Sequence, residues 1–358
     1  MRICLTLVFL SALLFAGCNE STVDPNNGDP DKPDELYYTV LEEVGAVPVG
    51  VYTIKTDGTN RRLVVPNSGL LSSPVGDKMI VLQKVDKEFR PTLCKITGEF
   101  LNIITTDGGD WPLLSPDATR MLYRKNIFSI PDGQSTELRI MNTDGTNDRV
   151  IASGAAWETI PVWSPDGSRI AYFGKGSETD GLDRDSLFIV NSDGTGRRFL
   201  TAEGMSFNDN FESLDWSPDG TKLVCITETA QQMYELLVVN VASGETKKIT
   251  SDGIAKAMPV WSPDSRKVAY MGAIGSQSSP ISLIFSINAD GTNKRDYQIS
   301  TSNIIAYPQW SPSGSYIAVT ELSEGSPDPS FGTLKLINTS SGAITILDSK
   351  VYRAYWKK

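Results

Sequence analysis

Along most of the chain, short apolar runs of strand length are separated by tight clusters of Pro, Asp, Asn, Ser and Gly. Trp163-Ser164-Pro165-Asp166-Gly167 leads into Ile170-Ala171-Tyr172, and Trp216-Ser217-Pro218-Asp219-Gly220, Trp261-Ser262-Pro263-Asp264 and Trp310-Ser311-Pro312-Ser313-Gly314 repeat the pattern. Weaker copies stand at Leu114-Ser115-Pro116-Asp117 and Ser72-Ser73-Pro74. Proline presets φ for a turn, Ser and Asp bond the local backbone, and Gly accepts conformations that a Cβ forbids, so each cluster predicts a hairpin corner. A second signature follows each unit's next apolar run: Asn142-Thr143-Asp144-Gly145-Thr146, Asn191-Ser192-Asp193-Gly194-Thr195, Asn288-Ala289-Asp290-Gly291-Thr292 and, near the start, Lys55-Thr56-Asp57-Gly58-Thr59. Asp-Gly between apolar runs is a strong hairpin signal. A calcium loop would need further carboxylates at this point, which the sequence does not supply.

The motif serines 73, 115, 164, 217, 262 and 311 lie 42, 49, 53, 45 and 49 residues apart. That period suits one four-stranded propeller blade of roughly 40–50 residues. The motifs resemble those of the TolB-like family of β-propellers, whose repeats carry the same W-S-P-D-G corner, I-A-Y strand and N-x-D-G-T corner; the resemblance covers residues 37–358. Six units begin near residues 68, 110, 158, 212, 257 and 306. Three strand-like pieces remain at the front (37–43, 51–55 and 61–65) and one at the back (352–356), where Trp356 takes the place of a motif tryptophan. Joining front and back gives an all-β, seven-bladed propeller closed by both termini in one blade; a six-bladed ring is the alternative. Closure removes the open sheet edges of a linear array. The motif tryptophans then read as wedge packing.

The front of the chain reads as an address. Arg2 precedes an apolar stretch, residues 3–17, too short to cross a hydrocarbon core of about 20 residues but suited to a secretory signal. Leu14-Phe15-Ala16-Gly17-Cys18 resembles a bacterial lipobox, which implies lipidation at Cys18. Residues 18–35 read as a flexible polar tether and 36–358 as the propeller domain. The expected location is the bacterial cell envelope, outer membrane or periplasm, with membrane contact through the lipid anchor alone. TolB itself carries an α/β domain ahead of its propeller, and only the tether stands there in this sequence, so a role in a Tol system does not follow. Cys94 and Cys225, each in an apolar run and three repeats apart, are expected as buried free thiols.

Composition changes the picture at two points. There is no histidine among the 358 residues, which removes Ser-His-Asp and Cys-His activation and imidazole metal ligands. The net charge of −10, without a basic stripe, speaks against nucleic acid. No G-x-S-x-G elbow, P-loop or G-x-G-x-x-G fingerprint occurs.

Connections 126–136, 175–185, 202–211, 273–279 and 322–332 fall on the face opposite the tight corners and are expected to be long loops, where binding residues concentrate. Candidate binding residues at this face and the channel mouth are Asp110, Trp111, Trp157, Glu158, Glu212, Lys256, Tyr307 and Arg353. Asp180, Asp183 and Asp185 are weak candidates for Ca²⁺; no other cofactor is expected. The expectation is a non-catalytic, monomeric scaffold that binds an envelope protein or glycan. The alternative is a carbohydrate-active enzyme using a carboxylate pair, Asp110 with Glu212. A dipeptidyl-peptidase-like reading is set aside, because its α/β-hydrolase domain would have to follow Lys358; a separately encoded catalytic partner stays open.

Overall fold

A computed structural model describes residues 34–40, 50–85, 88–104, 110–129, 133–155, 160–175, 185–201, 206–207, 213–228, 234–276, 279–297, 299, 303–322 and 332–357. The signal, Cys18 and nearly all of the tether lie outside them. The described residues build antiparallel sheets in chain order, each a meander from an inner strand a to an outer strand d. The third blade is typical: Val162–Trp163, Arg169–Lys175, Asp185–Asn191 and Arg198–Phe199 pair in sequence. The chain is an all-β propeller.

Ring closure depends on one strand. Ile344–Trp356 pairs through its first half with Gly332–Asn338, as the outer strand of the sixth blade. Its second half pairs with Glu35–Val40: Trp356 faces Leu36, Tyr355 faces Tyr37 and Val351 faces Val40. Gly50–Lys55 and Arg62–Pro66 complete that sheet. Among the described residues the sheets thus resolve into seven units, two of them fused through this strand into one seven-stranded sheet. The last strand is longer than expected because the step from the sixth blade to the closing blade is made without a loop.

The core lies in the wedges between neighbouring sheets, so central strands are buried on both faces and read as continuous apolar runs. The motif tryptophans bridge the wedges. Trp163 Nε1 donates to Leu113 O (3.4 Å), Trp216 to Val162 O (3.2 Å), Trp310 to Val260 O (3.3 Å) and Trp356 to Gln309 O (3.0 Å). Each indole therefore reaches the inner strand of the preceding blade, and a buried N–H finds its acceptor where the ring needs a seam. Trp261 departs from this: its indole has no hydrogen-bond partner among the described residues, and its backbone N–H instead donates to the buried carboxylate of Asp215 (2.8 Å).

The corners form as their sequence demands. At Ser164-Pro165-Asp166-Gly167 the serine hydroxyl donates to Asp166 Oδ1 (2.6 Å), which also accepts from Ser168 N (3.0 Å), while Arg169 N donates back to Ser164 Oγ (2.9 Å). At the other corner Asp144 Oδ1 accepts from Thr146 N (2.9 Å) and Thr146 Oγ1 (2.6 Å), and Gly145 takes φ +86°. These bonds to the ionised form hold Asp144, Asp193 and Asp290 below the usual carboxylate range.

Behind three of the four Asp-Gly-Thr corners a basic side chain caps an aromatic pair; behind the fourth, Asp148 stands at that position. Arg61 lies over Tyr52, which stacks on Tyr38; Arg197 lies over Phe188, which stacks on Tyr172; Lys294 lies over Phe285, which stacks on Tyr270. The cations stand at a constant offset from the Asp, and that regular spacing is the signal for them in the sequence.

Cys94 and Cys225 are buried and free, and burial pushes the Cys94 thiol up to about 11 and that of Cys225 higher still. Both are poor nucleophiles.

Candidate functional site

The two faces differ in construction. On the turn face, Arg120 of one blade donates to Gly167 O (2.9 Å) and Ser192 Oγ (2.9 Å) of the next, and Arg149 to Ser192 O (2.9 Å). Arg295 likewise donates to Thr339 O (2.6 Å), and Asn102 to Thr143 O (2.9 Å). These staples occupy the polar groups of the corners. The opposite face corrects the expectation of long loops in two places. The connection expected at 126–136 is a hairpin arm, in which Arg120–Ser129 and Gly133–Asn142 stay paired out to Ser129 and Gly133. The one at 273–279 is an arm paired out to Ser276 and Ser279. A third arm, Lys78–Val85 with Glu88–Lys95, carries the half-exposed Phe89. Strand pairing satisfies the backbone in these segments, which is why they need no loop.

The predicted residues divide sharply. Asp110 and Trp111 open the inner strand Asp110–Leu114, where Asp110 pairs with Arg124. Asp185 opens Asp185–Asn191. Trp157, Glu158, Asp180, Asp183 and Glu212, and with them one member of the carboxylate pair and two of the acidic triplet, lie outside the described residues. Among the described residues no group of His, Cys, Asp and Glu has metal-binding geometry.

Lys256, expected to face the channel mouth, is turned into the wedge between blades 4 and 5. Its ammonium is fully buried, 3.0 Å from Glu235 Oε2 and 2.6 Å from Asp252 Oδ1, and it also donates to Ile254 O (2.7 Å). Thr250 Oγ1 donates to Glu235 Oε2 (2.5 Å), and Lys294 bonds Asp252. Burial raises the Asp252 pKa, but hydrogen bonds from Lys256 and Lys294 outweigh it and hold the carboxyl at about 2. This is an inter-blade lock, since a buried ammonium without its carboxylates would be costly. Nearby Tyr270 has its phenol pushed well above the usual range, by burial first and then by Asp252 and Glu235.

Arg353 is also buried, at 1% exposure. Its guanidinium lies 4.5 Å from the Tyr307 ring centre and 4.9 Å from that of Tyr355. Tyr307 itself remains half-buried on the inner strand of the sixth blade, its ring 6.0 Å from Tyr352. Its backbone N–H donates to Met258 Sδ (3.3 Å) on the inner strand of the fifth. Met258, Tyr307, Tyr352 and Arg353 thus form an arc along the inner wall of blades 5 to 7. Met258 is absent from the sequence-derived set. The spacing of Pro259 before Trp261, repeated as Pro308 before Trp310 and Pro112 before Leu114, is the signal that could have found it.

Comparison with known proteins bears on what such a site serves. The family model for the TolB beta propeller domain matches residues 129–350. In sequence the chain is 26% identical over 195 residues to the uncharacterized peptidase YuxL of Bacillus subtilis, covering 44% of this chain and 28% of that protein. It is 26% identical over 144 residues to dipeptidyl-peptidase 5 of Porphyromonas gingivalis, covering 38% and 20%. The chain therefore matches between a fifth and about a quarter of the length of these relatives. In structure it is similar to a prolyl endopeptidase, with TM-score 0.63 at 12% identity over 89% of this chain and 49% of the other, a likeness of fold. These findings correct two expectations, that of a non-catalytic scaffold and that of no enzymatic role: its sequence relatives are peptidases, and the peptidase-like reading set aside above returns.

Proposed function

The chain belongs to the TolB beta propeller domain family, and from that premise we propose that it is the peptide-handling propeller of a peptidase, admitting and orienting extended peptides for hydrolysis. The observation that carries this reading is the sequence match to peptidases of two organisms. The chain's own chemistry divides the labour accordingly. With no histidine in the sequence, the imidazole of a Ser-His-Asp triad comes from a catalytic unit other than these residues, in the same protein or in a partner. The propeller supplies a rigid ring: stapled corners on one face, paired arms on the other, and an axial channel whose inner strands carry the Met258–Tyr307–Arg353 arc. A rigid frame suits this task, because a positioned peptide loses its freedom before the chemical step.

We infer an envelope location from the sequence alone: the signal at residues 3–17 and the lipobox ending at Cys18 support export and lipid anchoring. Incorporation of labelled palmitate, lost in Cys18→Ser, tests it.

The functional reading is tested by fluorescence anisotropy of unstructured peptides with the full chain, alongside p-nitroanilide release after adding extract fractions that contain serine peptidases. Peptide binding, together with hydrolysis that rises when chain and peptidase are combined, is the expected result. Absence of both overturns it.

A further inference from the structure

Two neighbouring inner strands hold a non-glycine residue in the left-handed region directly before a proline. Met258 has φ +54° before Pro259, and Tyr307 has φ +58° before Pro308. The left-handed conformation is unfavourable for L-residues, and a following proline already biases its neighbour toward extended backbone. Each residue sits in an equivalent bulge of its own strand, where register breaks between Ala257 and Val260 and between Ala306 and Gln309. Bulges re-aim a side chain, and strain of this kind persists where the surrounding structure enforces it, often at ligand sites. Here the outcome is a thioether that accepts from the Tyr307 backbone N–H, with Met258 and Tyr307 both half-buried on neighbouring inner strands.

We infer that this arc seats an aromatic side chain of an extended peptide; the inference rests on the peptide-handling reading above and specifies it. Two features of the arc select the occupant. A methionine sulfur and a tyrosine face both favour aromatic rings, through sulfur–aromatic contact and offset stacking. The Arg353 guanidinium lies over Tyr307 at 4.5 Å and is itself buried, so the ring already carries a cation. A second cation on that ring meets repulsion, so a lysine or arginine side chain is turned away while a neutral ring is accepted. The selection runs against the net charge of −10, which by itself draws basic peptides. A preference for aromatic over basic therefore reports the arc rather than the overall field.

The test uses the full chain and two labelled peptides of Gly and Ser, identical except for one central residue, Phe or Lys, at moderate and high salt. Anisotropy is expected to show the Phe peptide bound about tenfold more tightly, the combined weight of one ring stack and one sulfur contact. In the ¹³C-methyl methionine spectrum the Met258 signal, assigned by its loss in Met258→Gly, is expected to shift with the Phe peptide alone. Met258→Gly, which relieves the left-handed strain, is expected to keep or raise Tm while abolishing the Phe preference; Tyr307→Leu is expected to abolish it as well. Equal binding of both peptides with an unmoved Met258 signal overturns the arc and leaves peptide handling intact. A Met258→Gly protein of lowered Tm and unchanged Phe preference assigns the strain a structural role and also overturns it. If neither peptide binds, the peptide-handling reading fails and this inference with it.

Discussion

The turn face and the opposite face of this ring are built from one repeat yet behave differently. At the turn face similar bonds recur from blade to blade: Ser-to-Asp at the inner corner, Thr-to-Asp at the outer corner, and an Arg or Asn reaching the next blade's carbonyl. Away from the corners the blades differ: paired arms reach out to Val85, Ser129 and Ser276, a buried ammonium at Lys256 locks one wedge, and an aromatic–cation arc forms at Tyr307. Recurring corners tie blade to blade, and the unlike connections give the ring a direction. Where every blade must present the same edge to its neighbour, the chemistry is uniform; where only one blade meets a ligand, it is free to diverge.

The largest expected effect that would test this contrast is in the wedge. Trp216→Ala removes a side chain at 1% exposure and its bond to Val162 O, and is expected to cost about 3–5 kcal/mol by urea unfolding. Less than about 1 kcal/mol would show that the seam does not hold the blades. In the wedge between blades 4 and 5, Lys256→Ala strands Glu235 in the interior, with an expected loss of about 3 kcal/mol. The double variant Lys256→Met with Glu235→Leu is expected to recover most of it. No recovery would mean that the lock acts through something other than the buried pair.

Acid titration sharpens the same lock. The Asp252 carboxyl is held at about 2 against an ordinary 3.8. Its contribution is therefore full above about pH 4 and lost as pH falls through about 2, roughly 1 kcal/mol after allowing for its partial exposure. Asp252→Asn is expected to flatten that part of the acid limb, read as urea midpoints from about pH 5 down to about pH 2. At the corners, Gly145→Ala places a Cβ at φ +86° in open space, so only backbone strain is charged, about 1 kcal/mol. Smallest is Phe89→Ser on an arm, expected within about 0.5 kcal/mol because the side chain is 54% exposed. A cost there as large as at Trp216 would erase the distinction between frame and arm.

Much of the frame was legible because its determinants are local. A Ser-Pro-Asp-Gly corner closes on its own atoms, so Ser164 and Asp166 announce their bonds. The sixth unit shows the limit: Ser313 stands where the second to fifth units have Asp, and its hydroxyl donates instead to Asp34 Oδ2 (2.6 Å), 279 residues away. Candidate residues were harder. Position along an inner strand placed Lys256, Tyr307 and Arg353 near the channel, but the side a bulged strand turns outward depends on its register, which the residue list does not carry. Lys256 consequently lies in a wedge and Arg353 behind a tyrosine.

By itself, the sequence determined the repeat, the corners and the meeting of the two termini, because each rests on residues a few positions apart or on a period running through the whole chain. Only the tertiary structure decided that residues 344–356 serve two blades at once, that Asp215 takes the backbone of Trp261, and that Met258 and Tyr307 share one strained arc. Those arrangements join atoms from different blades, and the geometry that brings them together exists only once the ring has closed.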